Sequence, residues 1–292
     1  DVSEGTLDAA SKTLTRAIET DPKYATAHSA MGNVLWAKQD LTAADASFVL
    51  AVELSPGIPN AVLTLAQFKL KIGDRDQAEM IVKDLIDKNP NFVPALIFRA
   101  NMLGADGLFE DALKVTELAQ RLSPMNPEIA ILASQLDLKT GESEAAISRL
   151  SKLTQRFPEF TGGHLALSKA LLANDERLKA SSSIMRVLTL DPKNIEALLM
   201  QAGLEIQQGS PEAAEENLLR VLESVPKHPI AQSLLANVYT SKNDFDQALE
   251  LLLDLSTQQP RNPQPLFRAA QLEIQLGKIA EGRKYLESSL SR

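Results

Sequence analysis

Cysteine is absent from the 292-residue sequence, and aromatic residues are scarce. Without cysteine, the chain can form no disulfide, no thiolate metal site and no cysteine nucleophile. Aromatic residues make up 4% of the chain against 44% for all hydrophobic residues, so alanine and leucine must supply most of the packing surface. That composition favours helices over strands.

Basic runs and long hydrophobic runs are missing as well. The formal net charge is −8, and an acidic surface repels a phosphate backbone, so we expect no nucleic-acid partner. No apolar stretch approaches the roughly 20 residues that cross a bilayer, and no signal peptide is visible. We therefore expect no direct membrane insertion by this chain. The sequence begins at Asp1 without methionine, and its compartment stays open.

Proline recurs at one interval along the whole sequence. Eight prolines follow one another at a spacing of 34 residues: Pro22, Pro56, Pro90, Pro124, Pro158, Pro192, Pro226 and Pro260. Twelve residues before each stands an alanine, with Gly282 as the ninth equivalent: Ala10, Ala44, Ala78, Ala112, Ala146, Ala180, Ala214 and Ala248. This period predicts a solenoid of helix-turn-helix units. We use the word column for residues at the same distance from successive prolines of this set.

A second small column indicates close contact between two helices. Ten residues after the prolines lie Gly32, Ala66, Ala100, Ser134, Ser168, Ala202, Ala236 and Ala270. The axes of two packed helices lie about 8 to 10 Å apart, and the shorter distances require side chains this small at the contact. We therefore place both small columns where the two helices of a repeat cross. A bulkier column, eight residues before the prolines, is predicted to face the next repeat: Leu14, Phe48, Val82, Thr116, Leu150, Ile184, Leu218 and Leu252.

Residues that end helices follow the same period. Seventeen residues after the prolines lie residues that tolerate the left-handed conformation: Gly73, Gly107, Gly141, Asp175, Gly209, Asn243 and Gly277. Proline itself then ends the second helix of each repeat, because it lacks the amide hydrogen. The pattern therefore predicts where both helices of each unit stop.

These columns resemble the tetratricopeptide-repeat (TPR) family over essentially the whole chain. The resemblance implies an all-α TPR α-solenoid, a right-handed superhelix of about eight helix-turn-helix repeats, in which the first helix of each repeat (helix A) lines a concave groove. We expect one solenoid over residues 1–292. Its partial repeat is 1–24, its full repeats are 25–58, 59–92, 93–126, 127–160, 161–194, 195–228 and 229–262, and its near-complete repeat is 263–292. Neither end shows the polar capping helix that solenoids normally have, so we expect a fragment of a longer chain or an end that pairs with another copy.

The groove that the resemblance implies contains a column of side-chain amides. Six of its eight residues, eleven after the prolines, are Asn or Gln: Asn33, Gln67, Asn101, Gln135, Lys169, Gly203, Asn237 and Gln271. An amide both donates and accepts hydrogen bonds, which suits an extended peptide backbone. Seven residues after the prolines, an apolar column contributes Leu63, Ile97, Ile131, Leu165 and Leu199. We predict a peptide-binding groove from these two columns; the alternative is that the amides are solvated surface and the apolar column is core between repeats.

Specialised members of the family can be compared with this chain position by position. TPR domains that bind the acidic tails of heat-shock chaperones carry lysine one turn before the asparagine, where this chain has Ser29, Leu63 and Ile97. A chaperone-tail adaptor is therefore disfavoured. The near-regular repeats, which are rich in alanine and leucine, acidic and free of cysteine, are also similar to those of bacterial envelope TPR lipoproteins of exopolysaccharide and exosortase systems. The compartment accordingly stays open between the cytoplasm and a bacterial periplasmic or outer-membrane-anchored position.

Catalytic and metal-binding motifs are not found in the sequence. The three histidines, His28, His164 and His228, lie in different repeats without carboxylates at ligand spacing, and we expect structural roles for them. No phosphate loop, dinucleotide fingerprint or serine nucleophile motif occurs. We therefore expect no catalytic residue, no metal and no cofactor, and a protein that is not an enzyme.

Three functions remain open at this point. The first is a protein–protein interaction scaffold that binds a peptide or helix of a partner in the concave groove. The second is a TPR regulatory or targeting region of a larger enzyme, or of a bacterial envelope polysaccharide-export assembly. The third is a self-associating structural solenoid that forms a homo-oligomer through open ends.

Overall fold

The computed structural model describes residues 4–291, and over that range the chain is built of α-helices without strands. The helices are α1 (Glu4–Thr20), α2 (Ala25–Ala37), α3 (Leu41–Leu54), α4 (Pro59–Lys71), α5 (Arg75–Lys88), α6 (Val93–Ala105), α7 (Phe109–Leu122), α8 (Pro127–Lys139), α9 (Ser143–Arg156), α10 (Thr161–Ala173), α11 (Arg177–Leu190), α12 (Ile195–Gln207), α13 (Pro211–Ser224), α14 (Pro229–Lys242), α15 (Phe245–Gln258), α16 (Gln264–Gln275) and α17 (Ile279–Leu290). The predicted all-α, helical-repeat fold class is confirmed. From α2 onward, even-numbered helices are helices A, and odd-numbered helices are the second helices of their repeats (helices B).

The helices form two compact units. The first unit comprises Asp1–Glu142 and the second Ser143–Arg292. Within each unit, every helix packs against the next one along the chain. The boundary lies inside the predicted repeat 127–160, between its two helices, so the single continuous solenoid over 1–292 stays a prediction.

The predicted stop signals lie where helices end. From α3 to α15, each helix B ends two residues before a proline of the 34-residue set, as α3 ends at Leu54 before Pro56. The glycines between helices A and B adopt φ values of 72° to 88°, and Asp175 and Asn243 adopt 57° and 65° in the same column. Gln39, which occupies this column in the first helix pair, also has a positive φ of 64°. Residue type alone did not single out Gln39, because glutamine has no marked preference for that conformation.

Both small columns are buried where helices A and B of one repeat cross. From Ala44 to Ala248, every alanine of the first column is fully buried, and the second column is buried from Gly32 to Ala270. Thr116 is the polar member of the bulkier column, and its hydroxyl donates to the carbonyl of Ala112 at 2.7 Å. The hydrogen bond lets this hydroxyl stay inside the core.

One helix pair exchanges the usual sizes of its crossing residues. Phe48 stands where the other repeats have an aliphatic residue or Thr116. Gly32 stands where the other repeats have alanine or serine. A Cβ atom added to Gly32 would lie 2.8 Å from two ring carbons of Phe48. The missing methyl group therefore provides the space that the larger ring needs.

Gly32→Ala is expected to lower the free energy of unfolding by about 1–2 kcal/mol, because overpacking outweighs the gain in helix propensity. Gly203→Ala is the matched control, since a Cβ there meets no atom within 4 Å, and it should stabilise its helix. Urea denaturation followed by circular dichroism and by the fluorescence of Trp36, one turn after Gly32, measures both. The double variant Gly32→Ala, Phe48→Leu should recover part of the loss; an unaltered loss would contradict the steric explanation.

A column thirteen residues after the prolines alternates between apolar or aromatic and charged side chains. It reads Leu35, Lys69, Leu103, Asp137, Leu171, Glu205, Tyr239 and Glu273, and all four charged members are buried. Lys69 forms an ion pair with Asp45 at 2.8 Å, and Glu205 accepts hydrogen bonds from Asn217 and Gln201 at 2.9 Å. Burial of these charges depends on such partners.

Two histidines support the turns that precede helices A. Nε2 of His28 lies 2.8 Å from the carbonyl oxygen of Pro22, and Nε2 of His164 lies 3.0 Å from that of Pro158. His228 instead caps α14, where its Nδ1 accepts from the backbone of Ala231 at 3.3 Å. The predicted structural role of the three histidines is confirmed.

Candidate peptide-binding surface

The amide column lies on exposed positions of the helices A. In the first unit it comprises Asn33 on α2, Gln67 on α4, Asn101 on α6 and Gln135 on α8. These four side chains form no hydrogen bond with any described residue, so their donors and acceptors face solvent. In the second unit the exposed members are Lys169, Asn237 and Gln271, and Gly203 interrupts the column.

The members in the second unit differ in their partners. Lys169 forms an ion pair with Glu196 at 2.6 Å. Asn237 accepts a hydrogen bond from the guanidinium of Arg268. Only Gln271 resembles the amides of the first unit, since its side chain has no partner among the described residues.

The apolar column is partly inside the core. Leu63 and Ile97 are buried in clusters with neighbouring helices, whereas Ile131, Leu165 and Leu199 are half-buried. A residue at this position of helix A points towards the adjacent repeat, where its side chain contributes to the core between helices. We therefore leave Leu63 and Ile97 out of the proposed contact surface.

A cavity in the first unit brings two of the predicted amides together. It has a volume of about 290 Å³ and lies between α6, α8 and the start of α7. We call it the amide cavity, and its lining residues are Ala100, Asn101, Gly104, Ala105, Phe109, Leu132, Gln135, Leu136 and Lys139. It therefore combines an apolar floor with two amides and one ammonium group, which forms no ion pair with the described residues.

The amide cavity exists because Gly104 interrupts a column of larger residues. Fourteen residues after the other prolines stand Trp36, Leu70, Leu138, Leu172, Ile206, Thr240 and Ile274. A Cβ at Gly104 would lie 3.3 Å from a methyl group of Leu136, so a larger side chain would enter the cavity. The sequence analysis did not assign Gly104, Phe109 and Lys139 to the site. The signal that could have indicated the cavity is Gly104, the one glycine in this column.

Metal-binding clusters and membrane-spanning helices are not found among the described residues. Within residues 4–291, no group of three or more His, Asp or Glu side chains could hold a metal ion. None of the helices in that range is both long and apolar enough to cross a membrane. The helices A offer exposed amides and exposed apolar side chains.

Comparison with known families identifies three segments of the chain. Residues 1–39 match a family described as TPR repeat, and residues 171–238 match one described as tetratricopeptide repeat. Residues 207–289 match the family of anaphase-promoting complex, cyclosome, subunit 3. The matches lie in both structural units.

Relatives of known sequence are bacterial TPR proteins among others. The chain is 26% identical over 190 residues to the TPR repeat-containing protein YpiA of Bacillus subtilis, which covers 65% of this chain and 45% of YpiA. It is 27% identical over 179 residues to the cellulose synthase operon protein C of Pseudomonas fluorescens, covering 59% of this chain and 14% of that protein. The chain thus spans less than half the length of these relatives.

Solved structures show the same fold. The crystal structure of yeast Tom70 aligns with a TM-score of 0.66 and 16% identity, covering 98% of this chain and 59% of Tom70. At that identity the similarity concerns the arrangement of the helices alone.

Proposed function

Because the chain belongs to the tetratricopeptide-repeat family, we propose that it is a protein-interaction scaffold that binds an extended peptide on its helix A surface. TPR repeats typically serve as protein-interaction scaffolds. The amide cavity is the proposed anchor, with Asn101 and Gln135 as the residues that contact the peptide backbone. An apolar side chain of the peptide would occupy the space over Gly104.

The observation that carries this proposal is the pairing of unsatisfied amides with an apolar cavity. Asn101 and Gln135 border the same 290 Å³ cavity, and neither side chain has a hydrogen-bond partner among the described residues. An extended peptide offers unpaired N–H and C=O groups to such amides. Phe109, Leu132 and Leu136 supply the apolar surface that makes insertion of a side chain favourable.

The double variant Asn101→Ala, Gln135→Ala is expected to weaken binding of a partner about 30-fold. Each lost neutral hydrogen bond contributes about 1 kcal/mol, and 2 kcal/mol corresponds to that factor in affinity. Affinity capture from native cell lysate with wild type and variant, followed by mass spectrometry, identifies the partner. Titration of the purified partner then measures the ratio of dissociation constants.

Stability and specificity are controlled in the same experiment. Both amides are exposed, so the double variant should change the free energy of unfolding by less than about 0.5 kcal/mol. Gln77→Ala, at an exposed amide on helix B α5, is the matched binding control. Retention of the same partners with the same affinity by the double variant would contradict the proposal and direct attention to other surfaces.

Gly104→Leu tests the cavity without removing a polar group. Leucine stands at the equivalent position of three other repeats, and it is a better helix former than glycine by about 1 kcal/mol. The protein should therefore keep or gain stability while its affinity for the partner falls, because the side chain fills the cavity. Full binding by a stable Gly104→Leu protein would show that the cavity is not the anchor.

A second candidate function follows from the similarity to the cellulose synthase operon protein C. In that case the chain would be the scaffold region of a bacterial polysaccharide-synthesis or export assembly. Deletion of the chain from its native cell should then abolish surface polysaccharide. Normal polysaccharide in the deletion strain would rule out this second candidate and leave the first unaffected.

A further inference from the structure

Arg268 is held across two helices of the second unit by neutral acceptors. Its guanidinium donates to the hydroxyl of Ser233 at 3.0 Å and to the amide oxygen of Asn237. Ser233 and Asn237 lie one turn apart on α14, whereas Arg268 lies on α16. The side chain is thereby fixed on the helix A surface with a defined orientation of its remaining donors.

This cation lacks a counter-charge. Arg268 forms no ion pair with any described residue, although it is only partly exposed. Burial lowers the pKa of its guanidinium, yet an arginine stays protonated at any ordinary pH. A desolvated charge without an anion is unfavourable, and an incoming carboxylate would relieve that cost.

Several other cations on the helices A have acidic partners. Lys169 pairs with Glu196, and Arg99 pairs with Glu79 at 2.7 Å. Arg268 differs because α14 contains no acidic residue and the acidic residue of α16, Glu273, is buried. Neither of the two helices that hold Arg268 therefore presents an exposed carboxylate, on a chain whose net charge is −8.

Exposed apolar side chains lie on both helices that hold the cation. Phe267 and Ile274 are exposed on α16, and Ile230 is exposed on α14. Phe267, Gln271 and Ile274 share one face of α16 at i, i+4 and i+7, and Ile230, Ser233 and Asn237 share one face of α14. The two helices that fix the guanidinium thus also offer exposed apolar surface.

We propose that the α14–α16 face is a second binding site, which takes a peptide with a carboxylate next to apolar side chains. The carboxylate binds the free N–H groups of Arg268, and the apolar side chains pack against Phe267, Ile230 and Ile274. This proposal rests on the proposed peptide-binding function, but on helices of the other unit. It adds a chemical class of partner that the amide cavity does not define.

Selection from a random linear peptide library displayed on phage tests the proposal with the full chain. The wild type is expected to enrich peptides in which Asp or Glu stands beside aliphatic or aromatic residues. Arg268→Gln, which keeps hydrogen-bond donors but removes the charge, should lose that enrichment. Arg261→Gln, at an exposed arginine before α16, is the control and should select the wild-type sequences.

Fluorescence anisotropy of one selected peptide then gives the size of the effect. Arg268→Gln, or replacement of the peptide carboxylate by its amide, should weaken binding about 10- to 100-fold, as expected for a charge-assisted hydrogen bond. Arg268→Lys should retain part of the affinity. Circular dichroism confirms that each variant is folded.

The outcomes separate this inference from the proposed function. Peptides without acidic enrichment, equal selection by Arg268→Gln, or no selection on wild type would overturn the inference. Selected peptides that lose binding with Asn101→Ala, Gln135→Ala and keep it with Arg268→Gln would support the amide cavity alone. Peptides with the opposite behaviour would support the α14–α16 face alone.

Discussion

Leu218→Ala is expected to lower the free energy of unfolding of the second unit by about 3–4 kcal/mol. Leu218 is fully buried on α13, where it packs in a cluster with Leu198, Val221 and Leu235. Truncation to alanine removes apolar burial and leaves a cavity, and such changes cost about 2–5 kcal/mol. Helices on both sides hold the site, so little collapse of the cavity is expected. Urea denaturation followed by far-ultraviolet circular dichroism measures the loss.

The next residue in the chain provides the control for this prediction. Leu219 has the same side chain on the same helix but is 44% exposed. Leu219→Ala should therefore change the free energy of unfolding by less than about 0.5 kcal/mol. Equal effects of the two substitutions would mean that α13 is not oriented as described. In a repeat protein each repeat contacts mainly its neighbouring repeats. Unfolding of the second unit, which contains Leu218, should therefore respond more than unfolding of the first.

Asp45→Ala is expected to destabilise the first unit by about 2–3 kcal/mol. Its carboxylate on α3 lies 2.8 Å from the ammonium group of Lys69 on α4, whose side chain is only 8% exposed. Removal of one partner of a buried ion pair leaves an uncompensated buried charge, which costs about 3–5 kcal/mol. We expect less than that because Asp45 itself is partly exposed. Trp36 reports on this region, since its ring centroid lies 5.5 Å from that of Phe68.

The charge, and not the volume, is tested by a second variant. Leucine occupies the position of Lys69 in three other repeats, as Leu35, Leu103 and Leu171. The double variant Asp45→Ala, Lys69→Leu should thus recover most of the stability lost by Asp45→Ala, because no unpaired charge remains. Urea denaturation monitored by Trp36 fluorescence compares the proteins. No recovery in the double variant would indicate that Asp45 stabilises the fold by other contacts.

The candidate site was only partly predictable from the sequence. The exposure of Asn33, Gln67, Asn101 and Gln135 agrees with their predicted place on helices A, but their role in binding remains a proposal. The apolar column was less clear, since Leu63 and Ile97 are buried whereas Leu199 is half-buried. Periodicity gives the face of a helix on which a residue lies. It does not give the depth to which neighbouring helices cover that face.

The sequence by itself determined the helices and the places where they end. Proline and glycine act on the backbone of their own residue and its neighbours, and small residues at a period of 34 define the helix crossings, so these features can be read locally. Only the tertiary structure decided that Gly104 opens a cavity, that Asp45 pairs with Lys69, and that Arg268 has no counter-charge among residues 4–291. Each of these depends on which side chains from different helices meet and how much space they leave. That information lies in the packing of helices and not in the repeat pattern.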